Sequence, residues 1–273
     1  MSESNSKVDE EKSSALSYGS YLKIDELLSL QQPVSKPVEH DETLFIIIHQ
    51  VYELWFKEVL HELDELVDHL DADHPTLGGH QLKRVLKIFK TLIAQLDVLE
   101  TMTPLEFTSF RSFLANSSGF QSAQFRELEF LLGQKNPLHL DRFAGNEREY
   151  RNLERRYAEP CLWDAFVRYA HRQGYDIPDD ILNRDLTESV GDSYGVQQAL
   201  IEMYRRDPPM SRLCESLTDL DEGLQEWRYR HVMMVQRTIG TKQGTGGSAG
   251  VEYLRTTLFK PVFPDLWAIR AAL

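Results

Sequence analysis

Cysteine is nearly missing from this chain: Cys161 and Cys214 are the only two in 273 residues. No CxxC or CxxCH spacing occurs, which argues against a disulfide framework and against covalent attachment of a c-type haem. Long apolar runs are missing too, since nothing approaches the roughly 20 consecutive apolar residues that a membrane span requires. The opening residues 1–17, MSESNSKVDEEKSSALS, lack the apolar centre of a secretory signal. Positive charge is in short supply: 43 acidic against 30 basic residues leave a net charge of −13, whereas a nucleic-acid partner demands a positive surface. These absences predict a soluble protein of the reducing cytoplasm with neither a nucleic-acid nor a membrane partner. They also predict a polar, disordered tail over 1–17 followed by one domain over 18–273.

What the chain has in abundance is apolar residues at three- and four-residue steps. Phe45, Ile48, His49, Tyr52, Trp55, Phe56, Val59, Leu60, Leu63, Leu66 and Val67 predict a long amphipathic helix from about Glu42, with Asp41 as its N-cap. Leu82 to Leu99 repeat the pattern after Gly78-Gly79, read as a break. Thr103-Pro104-Leu105-Glu106 is a capping box with proline at the first helical position, so Phe107 and Arg111, four apart, share a helix face. Further helices are expected over about 121–132, 146–158, 160–173 and 211–239, closed by Gly133, Gly174 and Gly240. Strand signals are scarce, and the fold class is all-α: a single helical domain with long core helices.

Two histidines stand out. His49 lies in the apolar run Leu44-Phe45-Ile46-Ile47-Ile48-His49, and His231 follows Trp227 on the last predicted helix, near Met233 and Met234. Each alone reads as a buried histidine bonded to a backbone carbonyl. Together with Arg111, Phe107 and the glycine-rich stretch 244–250, they also fit the walls of a site for a planar apolar cofactor with one axial imidazole. The segment Gly244-Thr245-Gly246-Gly247-Ser248-Ala249-Gly250 contains GxGxxA but follows a helix rather than a strand, so it is no dinucleotide fingerprint. Its glycines let the backbone approach a small ligand, or form a plain loop. Glu58 and His61 make an ExxH, but a di-iron site needs two and the chain has one. The stretch His61-Glu62-Leu63-Asp64-Glu65 reads as a solvated charged face.

Four segments match a known family in order: YGSYL at Tyr18 with the following DELLSLQQP, HDETLFIIIHQVYELWFKEVLHEL from His40, FTSFRSFLANSSGFQSAQFRELEFLLGQKNP from Phe107, and EWRYRHVMMVQRTIGTKQGTGGSAG from Glu226. On these the chain resembles the haem-dependent tryptophan 2,3-dioxygenases. The resemblance implies one non-covalent haem b per subunit, ferrous when active, with His231 as the axial iron ligand. It implies that His49 is the distal, catalytic histidine facing the substrate's indole N–H, and that Arg111 grips the substrate carboxylate. Phe45 and Phe107 would line the indole pocket, Thr245 would contact the amino-acid end, and Ile46, Ile47 and Ile48 would complete the substrate wall. Tyr18 and Tyr21 would belong to an N-terminal segment exchanged with a neighbouring subunit in a homotetramer, a dimer of dimers. The reaction implied is cleavage of the indole C2–C3 bond of L-tryptophan with O2 to N-formyl-L-kynurenine, the first step of tryptophan degradation. A same-fold haem oxygenase forming an oxindole from a substituted tryptophan is the alternative, and a helical binding protein without redox chemistry is a third reading. The sequence departs from the family at Ala249, where a serine is usual, and at Ile48, where a polar or small residue is common.

Overall fold

Apolar spacing of three and four residues becomes helix throughout the computed structural model, which describes residues 16–115, 117, 119–242 and 250–273, without the side chain of Leu77. Among the described residues there is no strand, and no helix is long and apolar enough to cross a membrane. Two short helices come first, α1 (Tyr18–Leu22) and α2 (Ile24–Leu28), and neither buries a single residue. Ser17 caps α1 through a reciprocal box with Ser20. The tail expected over 1–17 lies outside the described residues as far as residue 15.

The core is built on α3 (His40–Asp71) and α4 (Pro75–Leu99), joined by three residues and packed along their length. Leu63, Leu66 and Leu70 of α3 meet Leu82, Val85, Phe89 and Leu92 of α4, all sealed from solvent. Burying each such side chain contributes about 1.5–3 kcal/mol, so this seam is a substantial part of the core.

Two of the expected helix starts are corrected. Asp41 is not the N-cap of α3: the helix begins at His40 and Glu39 holds the cap position without a side-chain bond. The preceding loop is tied down by Glu42 instead, whose buried carboxylate accepts from Val34 N at 2.7 Å and Ser35 N at 3.0 Å. Gly78-Gly79 does not break α4, which starts at Pro75 with proline at its first position and runs through both glycines. Packing explains the first of them, because a Cβ at Gly78 would lie 2.6 Å from Leu66 Cδ1. Close approach to α3 thus outweighs a propensity cost of about 1 kcal/mol per glycine.

The charged stretch after His61 is also only partly solvated. Glu62 is buried and paired with Arg84, and Asp64 takes a two-pronged ion pair from Arg156 at 2.5 Å. No group of three metal-binding side chains occurs among the described residues, so Glu58 and His61 find no further ligands there.

Helix α5 (Pro104–Arg111) begins on the expected Thr103–Glu106 box. Next come α6 (Ala123–Leu131), capped by Ser122, then α7 (Leu138–Asp141), α8 (Glu147–Ala158), α9 (Leu162–Arg172) and α10 (Asp179–Leu182). Gly133 and Gly174 follow α6 and α9 with φ of 90° and 93°, the left-handed region that favours glycine. The helix α11 (Tyr194–Arg206), capped by Ser193, goes beyond what the apolar spacing suggested. Helix α12 (Pro208–Ile239) runs from the Asp207 cap to Gly240 and packs along α4. Short helices α13 (Val251–Arg255) and α14 (Pro264–Ala268) complete the chain. Asp221, fully buried on α12, gathers the last segment: its Oδ2 accepts from Val262 N at 3.0 Å, Phe263 N at 3.1 Å and Trp267 Nε1 at 2.9 Å.

Candidate active site

Residues four apart on α3 set one wall. Phe45 and His49 pack one turn apart, their rings tilted by 40° with centroids 4.1 Å from each other, and His49 Nδ1 lies 2.7 Å from the Phe45 carbonyl oxygen. A carbonyl can only accept, so Nδ1 carries the proton and Nε2 keeps its lone pair. Burial pushes the His49 pKa below its ordinary value, so the ring is neutral near pH 7. From α5, Phe107 and Phe110 close on Phe45 at 5.7 and 5.6 Å, and Arg111 lies one turn beyond Phe107 beside the same space.

The opposite wall is α12. His231 stacks flat on Trp227, four residues earlier, at 5.2 Å and 3° between ring planes. Trp227 is in turn wedged among Phe125, Phe56 and Tyr52 at 4.9, 6.1 and 6.4 Å. Among the described residues no hydrogen bond reaches the His231 ring, whose remaining exposure is to the cavity. Desolvation first, then the neighbouring His49 and Arg126, push its pKa down to about 4. It is therefore a neutral imidazole, the form that binds metals. Arg230 anchors this stretch of α12 to α4 through Asp97 at 2.7 Å and Glu100 at 3.2 Å.

Between the walls lies a cavity of about 230 Å³. Phe45, His49, Phe107, Arg111 and His231 all line it, together with apolar Leu96, Leu99 and Met102. The fold thus brings together five of the residues singled out from the sequence, drawn from three helices. Ile46, Ile47 and Ile48 are not among the lining residues: Ile48 is buried in the core, Ile47 is exposed and Ile46 is half-buried. The helical repeat accounts for this, because only every third or fourth position of α3 faces the cavity. Tyr18 and Tyr21 are exposed on α1 and do not line the cavity of their own chain. Thr245 lies outside the described residues. Met234 lines the cavity whereas Met233 faces solvent.

Sequence reasoning passed over Tyr52, Arg126, Glu129, Arg228 and Tyr253, which also line the cavity. A signal existed for two of them: Arg228 precedes His231 by three residues and Tyr52 follows His49 by three, so each shares its histidine's face.

The sequence model of the family described as tryptophan 2,3-dioxygenase matches residues 1–162 and 194–273. The chain belongs to the tryptophan 2,3-dioxygenase family. A protein of Herpetosiphon aurantiacus named tryptophan 2,3-dioxygenase is 59% identical over 261 residues, covering 96% of this chain and 100% of that protein. One of Anaeromyxobacter sp. with the same name is 53% identical over 264 residues, 96% of this chain and 97% of that protein. A third, of Saccharopolyspora erythraea, is 45% identical over 262 residues, 93% and 92% of the two chains. The unmatched residues 163–193 carry most of α9 and all of α10, and none of them lines the cavity.

Members of the tryptophan 2,3-dioxygenase family are generally haem-dependent. The residues present fit such a group: a neutral imidazole on one wall and apolar and aromatic side chains around it. Buried N–H groups of two lining arginines, Arg126 Nε and Arg228 Nη1, have no acceptor within the described residues.

Proposed function

We propose that this chain is a haem-dependent dioxygenase that converts L-tryptophan and O2 to N-formyl-L-kynurenine. The observation that carries the reading is that two neutral histidines in different settings, His49 and His231, line one apolar cavity with Arg111. His231, neutral and unencumbered by a hydrogen bond among the described residues, is the residue to hold the haem b iron, one per subunit and ferrous when active. Bound there, the haem supplies the activation of oxygen that lets both of its atoms enter the product as the indole C2–C3 bond breaks.

The remaining work falls to the protein. Arg111 offers a planar fork to the substrate carboxylate, a geometry that lysine cannot reproduce. Phe45 and Phe107 hold the indole between them and keep water away. His49 is fixed in the tautomer whose Nε2 accepts, so it can take a hydrogen bond from the indole N–H and orient the ring. A neutral indole N–H is too weak an acid for imidazole to deprotonate near neutral pH, so His49 positions rather than abstracts. Thr245 is assigned to the amino-acid end on the family resemblance alone, as are Ile46, Ile47 and Ile48 to the substrate wall.

The exposed face of α1 and α2, with Tyr18, Tyr21 and Leu28 open to solvent, supports a segment that packs on a neighbouring subunit of a homotetramer. Two buried free cysteines suit the reducing cytoplasm. The test is to load the protein with haem, reduce it without oxygen, and add L-tryptophan and isotopically labelled O2. N-formylkynurenine carrying two labelled oxygens is the expected product. A product with a single labelled oxygen, or none, overturns the reading.

A further inference from the structure

Deep in the cavity wall, three buried charged side chains form a set whose charges do not balance. Glu129 of α6 accepts from Arg126, three residues earlier, and from Arg228 Nη2 of α12 at 2.9 Å. Arg228 also donates to Gln134 Oε1 at 2.6 Å, which is neutral. His139 Nε2 lies 3.3 Å from Arg126 Nη1 and 3.5 Å from Asn136 Nδ2. A guanidinium can only donate, so His139 accepts through Nε2 and is neutral. Two guanidinium groups therefore share one carboxylate. The next acid in sequence does not help, because Glu127 is turned to Arg156 at 3.6 Å.

Arg126 and Arg228 are 7% and 4% exposed, and both line the cavity with Glu129. Each keeps a buried N–H without an acceptor among the described residues, Nε on Arg126 and Nη1 on Arg228. A buried excess positive charge with unused donors is costly unless an anion completes it.

We propose that Arg126 and Arg228, braced by Glu129, form a carboxylate subsite of the cavity and hold a propionate of the bound porphyrin, an inference that rests on the haem reading above. Two sources of carboxylate are available to such a cavity, the propionates of the cofactor and the carboxylate of the amino-acid substrate. Position decides between them. Arg228 precedes His231 by three residues and lies one turn away on the same face of α12, and Arg126 follows Phe125, which packs on the Trp227 that stacks with His231. The cations thus flank the iron-ligand wall, whereas Arg111 stands with Phe107 on the α5 wall. The molecule held by His231 is the one whose carboxylate they reach. Glu129 keeps the pair from repelling and fixes both forks, so a loosely placed lysine at either position does not substitute.

The test uses the full chain loaded either with haem or with haem dimethyl ester, in which both propionates are neutral, and follows transfer of the porphyrin to excess apomyoglobin. The ester is expected to leave the wild-type protein about tenfold or more faster than haem. Arg126→Met and Arg228→Met should each speed the loss of haem by a similar factor while hardly changing loss of the ester. Equal rates for haem and ester from the wild type overturn the subsite, and this comparison needs no variant to fold. A variant that releases ester and haem equally faster has lost structure rather than a carboxylate contact, and overturns it too. Failure of L-tryptophan affinity in Arg126→Met with haem retention unchanged assigns the carboxylate to the substrate and overturns the propionate assignment. If the wild type takes up neither porphyrin, the haem reading itself has failed, a result distinct from equal retention of both.

Discussion

The two walls of the cavity both keep an imidazole neutral by burial, and they fix its orientation by different means. On α3 the ring is pinned by a hydrogen bond: His49 Nδ1 is committed to the Phe45 carbonyl, which leaves one defined acceptor facing the cavity. On α12 the ring is held by stacking, His231 lying parallel to Trp227 with no hydrogen bond among the described residues. A pinned ring suits recognition of a polar hydrogen, because its tautomer is set before the ligand arrives. A stacked ring keeps both nitrogens uncommitted and suits a metal bond, with orientation supplied by an aromatic plane. Residue type is the same on both walls and an aromatic residue stands four positions earlier on each; the bond of His49 to a backbone carbonyl makes the difference.

The strongest test of that contrast is His231→Ala, which is expected to abolish the haem absorption band and lower activity by about 100-fold or more; retention of a normal spectrum would falsify the ligand assignment. Next comes Arg111→Lys. Losing the planar fork should raise the KM for L-tryptophan by about 10- to 100-fold with haem content intact, and steady-state kinetics on the holoenzyme would show a kcat-only effect if Arg111 did something else. His49→Ala should slow kcat by about 10-fold and leave porphyrin retention alone; haem loss in this variant would erase the distinction between the walls.

A smaller effect concerns acid sensitivity behind the α12 wall. His139 is held to a pKa of about 4 by desolvation first and by Arg126 second, with Arg142 acting the same way and Glu129 opposing. Its folded pKa lies below the unfolded one near 6.5, so the unfolded chain takes up a proton first as pH falls. The stability is thus complete above about pH 6.5 and declines toward pH 4, on the order of 1 kcal/mol per pH unit. Melting curves at pH 7.5 and 5 should differ less in His139→Leu than in the wild type, and an unchanged difference would remove His139 from the account. The smallest change expected is from Thr103→Ala, which removes the α5 cap and costs about 1 kcal/mol in denaturant unfolding. If it left stability untouched but raised KM, the cap would be acting on Arg111 alone.

The long helices were legible because their apolar stripes are continuous. The Thr103–Glu106 box was legible because both halves of the cap lie within four residues, and Gly133 and Gly174 because a left-handed stop needs no tertiary partner. Gly78 misled for the opposite reason: its role is set by Leu66 on another helix, which local propensity does not contain. The cavity was half legible. Histidines in apolar runs announce themselves, as does an arginine one turn from a phenylalanine. Arg126 and Glu129 look like an ordinary surface pair three residues apart until α6 and α12 are placed together, since the pairing of Glu129 with Arg228 across about a hundred residues leaves no local trace. Likewise Ile46, Ile47 and Ile48 belong to the same quoted run as His49, and only the helical repeat separates them from it.

Asp221 gives the order of synthesis a consequence. Its carboxylate sits at the middle of the helix that carries His231, yet its partners, the Val262 and Phe263 amides and the Trp267 indole, are translated well after that helix. A growing chain that has emitted all of α12 has Gln225 to satisfy Oδ1 of this core carboxylate but nothing yet for Oδ2, and burying that oxygen unpaired is unfavourable. The wall behind His231 can therefore lock only once residues 262–267 have emerged, which places acquisition of the cofactor after synthesis of that segment.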